Sequence, residues 1–275
     1  DMTTGALVAC SILSSRMLAP IGQISGILGR LQQAKVAKKG LDELMAKPVD
    51  HPDHAHLIQK PVLYGHYELN DVLFKYAEDD PRASLAIAQL QIQAGEKIAI
   101  LGRNGAGKST LLQLLSGMQT PLQGKIKLDG VDLSLLDPSD IRRDMSMLNQ
   151  NSQLFYGSIR ENLTLGAPLA SDEDIFAVLK LTGALDFVQE KKEGLDHMVL
   201  EGGFGFSSGQ RQALLLARTL IRQPNIVLLD EPTASIDDVS ERQLIQNLQS
   251  WLGHRTLVVV THRRAVLEWV DRILV

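Results

Sequence analysis

The stretch KIAILGRNGAGKSTLLQLLSG, residues 97–117, decides how the chain is read. Its first five residues are mostly apolar and predict a buried strand, Gly102 opens a loop, and an apolar-periodic helix follows Lys108. Gly102, Gly107, Lys108 and Ser109 meet the pattern G-x-x-x-x-G-K-[ST]. A chance match in a chain of this length has odds of roughly one in a hundred, before the flanking strand and helix are counted. The loop glycines let main-chain N–H groups curl round a polyphosphate, and the helix N-terminus adds partial positive charge. Lys108 is expected to reach the outer phosphates, and the Ser109 hydroxyl to bind Mg²⁺.

A second strand-like run, residues 226–229, is wholly apolar and ends in Asp230, Glu231 and Pro232. An acid at the end of a hydrophobic strand is the usual complement of a phosphate loop. Asp230 is expected to serve Mg²⁺ and Glu231 to orient and deprotonate the attacking water. A third run, residues 257–260, delivers His262. In a parallel α/β sheet ligands gather at the carboxyl ends of strands, so all three runs aim at one site. That convergence outweighs the bland reading of His262 as a satisfied core histidine.

Composition narrows the rest. The 275 residues carry a net charge of −4, only 4% aromatics and a single cysteine, Cys10. No nucleic-acid surface, internal disulfide framework or Cys-rich metal site is suggested. Residues 5–29 are small and apolar but include Arg16, Pro20 and Gln23, which suits helix packing in a membrane bundle as well as a buried soluble helix. The segment LQQAKVAKKGLDELMAK, residues 31–47, is polar and helical, and with Arg30 it has the positive charge of a cytoplasmic flank. Residues 48–61 read as a Pro-bounded linker, in which His51, His54 and His56 lack metal-ligand spacing. HYELNDVLFKYAED (66–79) and ASLAIAQLQI (83–92) predict antiparallel strands joined by a turn at Asp79, Asp80 and Pro81. Tyr76 could stack on a base there, although taken alone it is better read as an ordinary strand tyrosine. The chain stops inside the strand-like run Ile273, Leu274, Val275, and it reads as a fragment.

FSSGQRQALLLARTL (206–220) resembles the LSGGQ signature and following helix of ABC transporter nucleotide-binding domains, and LLDEPTASID (228–237) resembles their acidic strand and D-loop. The resemblance covers residues 62–275. It implies an α/β fold of P-loop NTPase, ABC type: a mostly parallel core sheet with helices, a small antiparallel β-subdomain and a helical signature subdomain, preceded by a long helix. It also implies ATP and Mg²⁺ as ligands. Gly102, Arg103, Asn104, Gly105, Ala106, Gly107, Lys108, Ser109 and Thr110 would cradle the phosphates. Gln150, in MLNQNSQLF (147–155), matches the Q-loop glutamine that joins Mg²⁺ and the transport domain. His262 matches the switch histidine and Tyr76 the adenine-stacking aromatic, which reverses the reading of Tyr76 made alone. Ser207, Ser208, Gly209 and Gln210 would meet the γ-phosphate from across a dimer, with Asp237 as the D-loop acid. Phe206 and Ser208 depart from the pattern, where the family has Leu and Gly, so the approach of main chain to phosphate is altered at 208.

LFYGSIRENLTLG (154–166) resembles the exporter type, residues 2–45 resemble the last transmembrane helix and cytoplasmic extension of half-size exporters, and the wording of residues 2–34 is most similar to the permease-ATPases of bacterial type I secretion, including those exporting large adhesins. Residues 1–47 would then be the end of that helix and its cytoplasmic extension. The implied setting is the bacterial inner membrane, with the nucleotide domain on the cytoplasmic side. The implied partners are a second copy of the chain, the transmembrane domain of the full-length chain, an exported protein, a periplasmic adaptor and an outer-membrane channel. The competing reading is a soluble ABC-type ATPase of chromosome maintenance or DNA repair. It would need a long coiled coil between phosphate loop and signature, and no sustained heptad run occurs there. A regulatory module with little turnover is disfavoured by Glu231 and His262, and a GTPase by the lack of an N-K-x-D motif.

Overall fold

The structure, a computed structural model, describes residues 3–47, 49, 56–77 and 79–275. It divides into two units, Asp1–Ala55 and His56–Val275. His51 and His54 lie outside the described residues, and His56 is exposed.

The first unit is one helix, α1 (Thr4–Met45), capped by the Thr3 hydroxyl accepting from the Ala6 N–H at 3.4 Å. It runs without a break through both the apolar and the polar stretch and contains Pro20. None of its residues is buried, and its apolar side chains are spread round the helix rather than gathered on one face. It is long and apolar enough to cross a membrane.

The second unit takes its layers from strands, eleven among the described residues. In chain order these are β1 (Tyr67–Phe74), β2 (Leu85–Ile92), β3 (Lys97–Ile100), β4 (Gln123–Leu128), β5 (Val131–Asp132), β6 (Met145–Leu148), β7 (Gly157–Ser158), β8 (Met198–Val199), β9 (Ile226–Asp230), β10 (Thr256–Val260) and β11 (Arg272–Leu274). Five of them form a parallel sheet in the order β11-β3-β10-β9-β6. Another four form an antiparallel sheet in the order β2-β1-β4-β5. The apolar runs are continuous in β9 and β10 because both faces of the parallel sheet are covered. Val227, Leu229, Leu257 and Val259 face one core, while Ile226, Leu228, Val258 and Val260 face the other. Burial of each such side chain stabilises by about 1.5–3 kcal/mol.

The helices are α2 (Lys108–Leu115), α3 (Pro138–Asp144), α4 (Ile159–Thr164), α5 (Asp172–Thr182), α6 (Leu185–Gln189), α7 (Ser208–Leu220), α8 (Asp238–Leu252) and α9 (Arg264–Leu267). Between the phosphate loop and α7 the longest helix is α5, at 11 residues, too short for the coiled coil that the DNA-repair reading requires. Ser158 and Ser171 start α4 and α5 with capping boxes, which satisfy main-chain N–H groups at those ends. Residues just before β1 are tied down: Ile58 bridges to Leu136, the Lys60 N–H donates to Asp140 Oδ2 at 2.7 Å, and the Leu63 N–H donates to Asp144 Oδ2 at 2.7 Å.

Candidate active site

Strand register builds the site. Val260 of β10 lies level with Ile100 of β3 and Asp230 of β9, and Leu229 lies level with Leu148 of β6. The loops that leave these four strands, carrying Lys108, Glu231, His262 and Gln150, therefore start at the same edge of the sheet. They enclose a cavity of about 540 Å³, within the range of small-molecule sites. Tyr76, Asn104, Gly105, Gly107, Lys108, Ser109, Thr110, Gln150, Asp230, Glu231 and His262 line it.

The phosphate loop passes into α2 through Gly107, which has φ +84°. A Cβ there would stand 2.7 Å from the Ser84 carbonyl, so both conformation and space require glycine. Lys108 Nζ donates to the carbonyls of Gly102, at 2.7 Å, and Arg103, at 3.0 Å. The loop thus holds the ammonium group with two neutral carbonyl acceptors, on the cavity wall it shares with Asp230 and Glu231. Tyr76 lies two residues beyond β1. Its ring meets Phe74 edge-on at 5.0 Å, and its hydroxyl is 2.9 Å from Thr110 Oγ1 and 3.3 Å from Gln113 Oε1. At 60% exposure the ring retains free surface at the cavity mouth, which suits stacking.

Asp230, the last residue of β9, is 4% exposed and receives no hydrogen bond from any described residue. A buried carboxylate without a donor suits a cation, and the Ser109 hydroxyl, on the same cavity wall and without a hydrogen bond among the described residues, suits the same ion. Glu231 has φ +51°, an uncommon conformation for a residue with a side chain, and its N–H donates to the Val260 carbonyl at 2.9 Å. Its Oε1 stands 3.5 Å from His262 Nε2. Burial pushes the Glu231 carboxyl above its ordinary range; the His262 imidazole pulls it down, the charge of Asp230 adds to the rise, and Lys108 and the His262 main chain lower it more weakly.

The signature residues stand apart. Ser207, Gly209, Gln210 and Asp237 line a second cavity, about 480 Å³, which shares no lining residue with the first. Ser207 caps α7 in a capping box: its Oγ accepts from the Gln210 N–H at 3.1 Å, and Gln210 Oε1 accepts from the Ser207 N–H at 3.0 Å. The Ser207 hydroxyl proton remains free to donate. Asp237 caps α8, accepting from the Val239 and Ser240 N–H groups, each at 3.0 Å, and these bonds hold its carboxyl below the usual range. Ser208 is exposed on the first turn of α7. Phe206 is buried, with Phe187 and His197 edge-on at 6.2 and 5.8 Å and Lys191 Nζ 5.0 Å over its ring. Its extra size beyond leucine is thus taken up by α6 and the turn after it.

Several contributors escape sequence reading. Ser84 and Val260 complete the first cavity, and Gln212 Nε2 donates to the carbonyls of Glu231, at 3.4 Å, and Pro232, at 3.1 Å. None sits in a spacing that names a role; strand pairing and helix packing bring them in.

The description "ABC transporter" fits a family match over residues 85–234, more than half of the chain. Leukotoxin translocation ATP-binding protein LktB of Mannheimia glucosida is 35% identical over 275 residues, covering 100% of this chain and 38% of the relative. Proteins of the same name from Mannheimia haemolytica and Bibersteinia trehalosi match at the same identity and coverage. The chain therefore spans well under half the length of these curated relatives. A solved bacterial Atm1-family ABC exporter with ATP bound superposes with a TM-score of 0.79 at 26% identity, over 99% of this chain and 48% of that one. Matched to that family over more than half of its length, the chain belongs to the ABC transporter family.

Proposed function

We propose that this chain is the ATP-binding and hydrolysing part of an exporter that drives a protein substrate across a bacterial inner membrane, in the manner of type I secretion. The observation that carries the proposal is the shared register of β3, β9 and β10, which puts Lys108, Asp230, Glu231 and His262 round one cavity. In this reading the loop of residues 102–110 and Lys108 hold the polyphosphate and Tyr76 stacks on adenine. Glu231 takes the proton of the attacking water, its raised pKa bringing it closer to a working base, and His262 orients it and meets the γ-phosphate. Asp230, Ser109 and Gln150 would hold Mg²⁺, which when bound neutralises phosphate charge.

The separate cavity at Ser207 supports a site completed by a second copy of the chain. Ser207 and the first N–H groups of α7 offer an anion site in a cavity that none of the residues 102–110 lines. α1 supports the membrane setting, with Arg30, Lys35, Lys38, Lys39 and Lys47 marking the cytoplasmic end. The transmembrane domain of a longer chain, a periplasmic adaptor and an outer-membrane channel complete the proposed assembly.

The direct test is Mg²⁺-dependent phosphate release from ATP by the purified full chain in detergent, alongside secretion by cells carrying Glu231→Gln in the complete exporter. A chain that binds no ATP overturns the enzymatic part, and unchanged secretion of every exported protein overturns the transport part.

A further inference from the structure

His262 and the residue after it face opposite ways. While His262 reaches Glu231, the Arg263 guanidinium turns to residues 236–241, between the acidic strand and the body of α8. Its Nη1 is 3.2 Å from Asp238 Oδ1, its Nη2 donates to the Ile236 carbonyl at 3.3 Å, and its Nε is 3.8 Å from Glu241 Oε1. One planar fork thus donates to two acceptors while its Nε faces the Glu241 carboxylate, a geometry that lysine cannot reproduce. The Arg263 N–H donates to Thr261 Oγ1 at 3.0 Å, so the turn that aims the two side chains apart is itself held.

The three contacts differ in weight. The Asp238 side chain is 77% exposed, and such an ion pair contributes little. The Glu241 side chain is 5% exposed, its Oε1 receives no hydrogen bond, and Arg263 is the only cation within 4.0 Å of it among the described residues. A buried carboxylate facing a single cation holds that cation in place, because separating the two leaves a charge uncompensated. Residues 236–241 also contain Asp237, which lines the signature-side cavity. The His262 loop is thereby fastened to a segment that belongs to the other cavity.

We propose that Arg263 is a positioning residue for ATP hydrolysis: by clasping residues 236–241 it holds the neighbouring His262 against Glu231. This rests on the reading of the first cavity as an ATPase site. The clasp leaves ATP binding to the phosphate loop and acts on turnover, since misplacing a catalytic side chain by about 1 Å costs on the order of 10²-fold in rate.

The experiment uses the full chain in detergent and compares wild type, Arg263→Met, Arg263→Lys and the double variant Arg263→Met with Glu241→Met. For each, kcat, KM for ATP and the melting temperature are measured. Arg263→Met is expected to lose both turnover and stability, because Glu241 is stranded. Replacing both members of a buried ion pair with apolar residues of similar size restores stability. The double variant is therefore expected to melt near wild type yet keep a kcat lowered by roughly 10–100-fold, with KM within about two-fold. Arg263→Lys, which keeps a charge for Glu241 but not the fork, is expected to fold and to show an intermediate kcat. Recovery of wild-type kcat by the double variant, or full kcat in the Lys variant, makes Arg263 a stability staple and overturns the proposal. A raised KM with unchanged kcat overturns it too. If wild type itself does not hydrolyse ATP, the underlying reading of the cavity fails instead.

Discussion

His262 Nε2 lies 3.5 Å from Glu231 Oε1, although the two residues follow different strands and are 31 positions apart in the chain. The approach is set by the pairing of β10 with β9 and by the Glu231 N–H bonding back to Val260. It joins the proposed base to the proposed switch residue before any substrate is considered.

Glu231→Gln is expected to keep ATP binding and lose turnover by about 10²–10⁴-fold, the usual worth of a general base. Near-normal phosphate release by that variant removes Glu231 from the mechanism. The same substitution reports on pH. The folded carboxyl keeps its proton to a higher pH than the unfolded one, whose ordinary value is about 4.5. The folded state thus binds more protons in that window, and stability falls as pH rises through it. At pH 7 the Gln variant should melt above wild type, and the difference should vanish below about pH 4. A constant difference across the range contradicts the assignment.

Tyr76 offers a ring and a hydroxyl to different neighbours. Tyr76→Ala should weaken ATP binding by about 1–3 kcal/mol, the scale of base–aromatic stacking. Tyr76→Phe keeps the ring and gives up the contact with Thr110, so it should bind ATP nearly as well while losing about 0.5–1.5 kcal/mol of stability. Titration with a fluorescent ATP analogue separates the two, and equal affinity for Ala and wild type makes the ring irrelevant.

Phe206 replaces the expected leucine and is buried, its ring against Phe187 of α6, Lys191 and His197. Phe206→Ala should cost about 3–5 kcal/mol through the cavity it leaves. Phe206→Leu should cost less and keep the capping box at Ser207. Urea melts of both variants check this, and identical losses for Ala and Leu show that the ring is not packed as described.

Lys108→Ala and Ser207→Arg are each expected to abolish ATP trapping in a Glu231→Gln background. Mixed together they should recover it, because one composite site carries both defects and the other carries neither. The separate cavities of Lys108 and Ser207 motivate this experiment. Mixed chains that demonstrably pair but trap no ATP rule out a shared site.

The chain with α1 is expected to partition into membranes, whereas residues 56–275 alone should stay in the aqueous fraction. The division between Ala55 and His56, together with the bonds of Ile58 and Lys60, sets that starting point. Flotation of both proteins with liposomes checks it; a full chain that stays in solution as a monomer counts against a membrane span.

Local chemistry was legible in the sequence. Gly102, Gly107 and Lys108 mark a phosphate-cradling turn into a helix, the apolar runs in β9 and β10 mark buried strands, and Asp230 with Glu231 marks a strand end that carries acid. Each of these depends on residues a few positions apart, where steric and hydrogen-bonding rules act within the segment itself. Resemblance then linked the segments to one family. Tertiary structure alone decided that Val260 stands level with both Ile100 and Asp230, that Ser207 and Asp237 open on a different cavity from Lys108, and that Arg263 faces Glu241. These relations join residues up to 160 positions apart. They are set by which buried faces cover which, and by the need to give every buried charge a counterpart, neither of which any short stretch of the chain encodes.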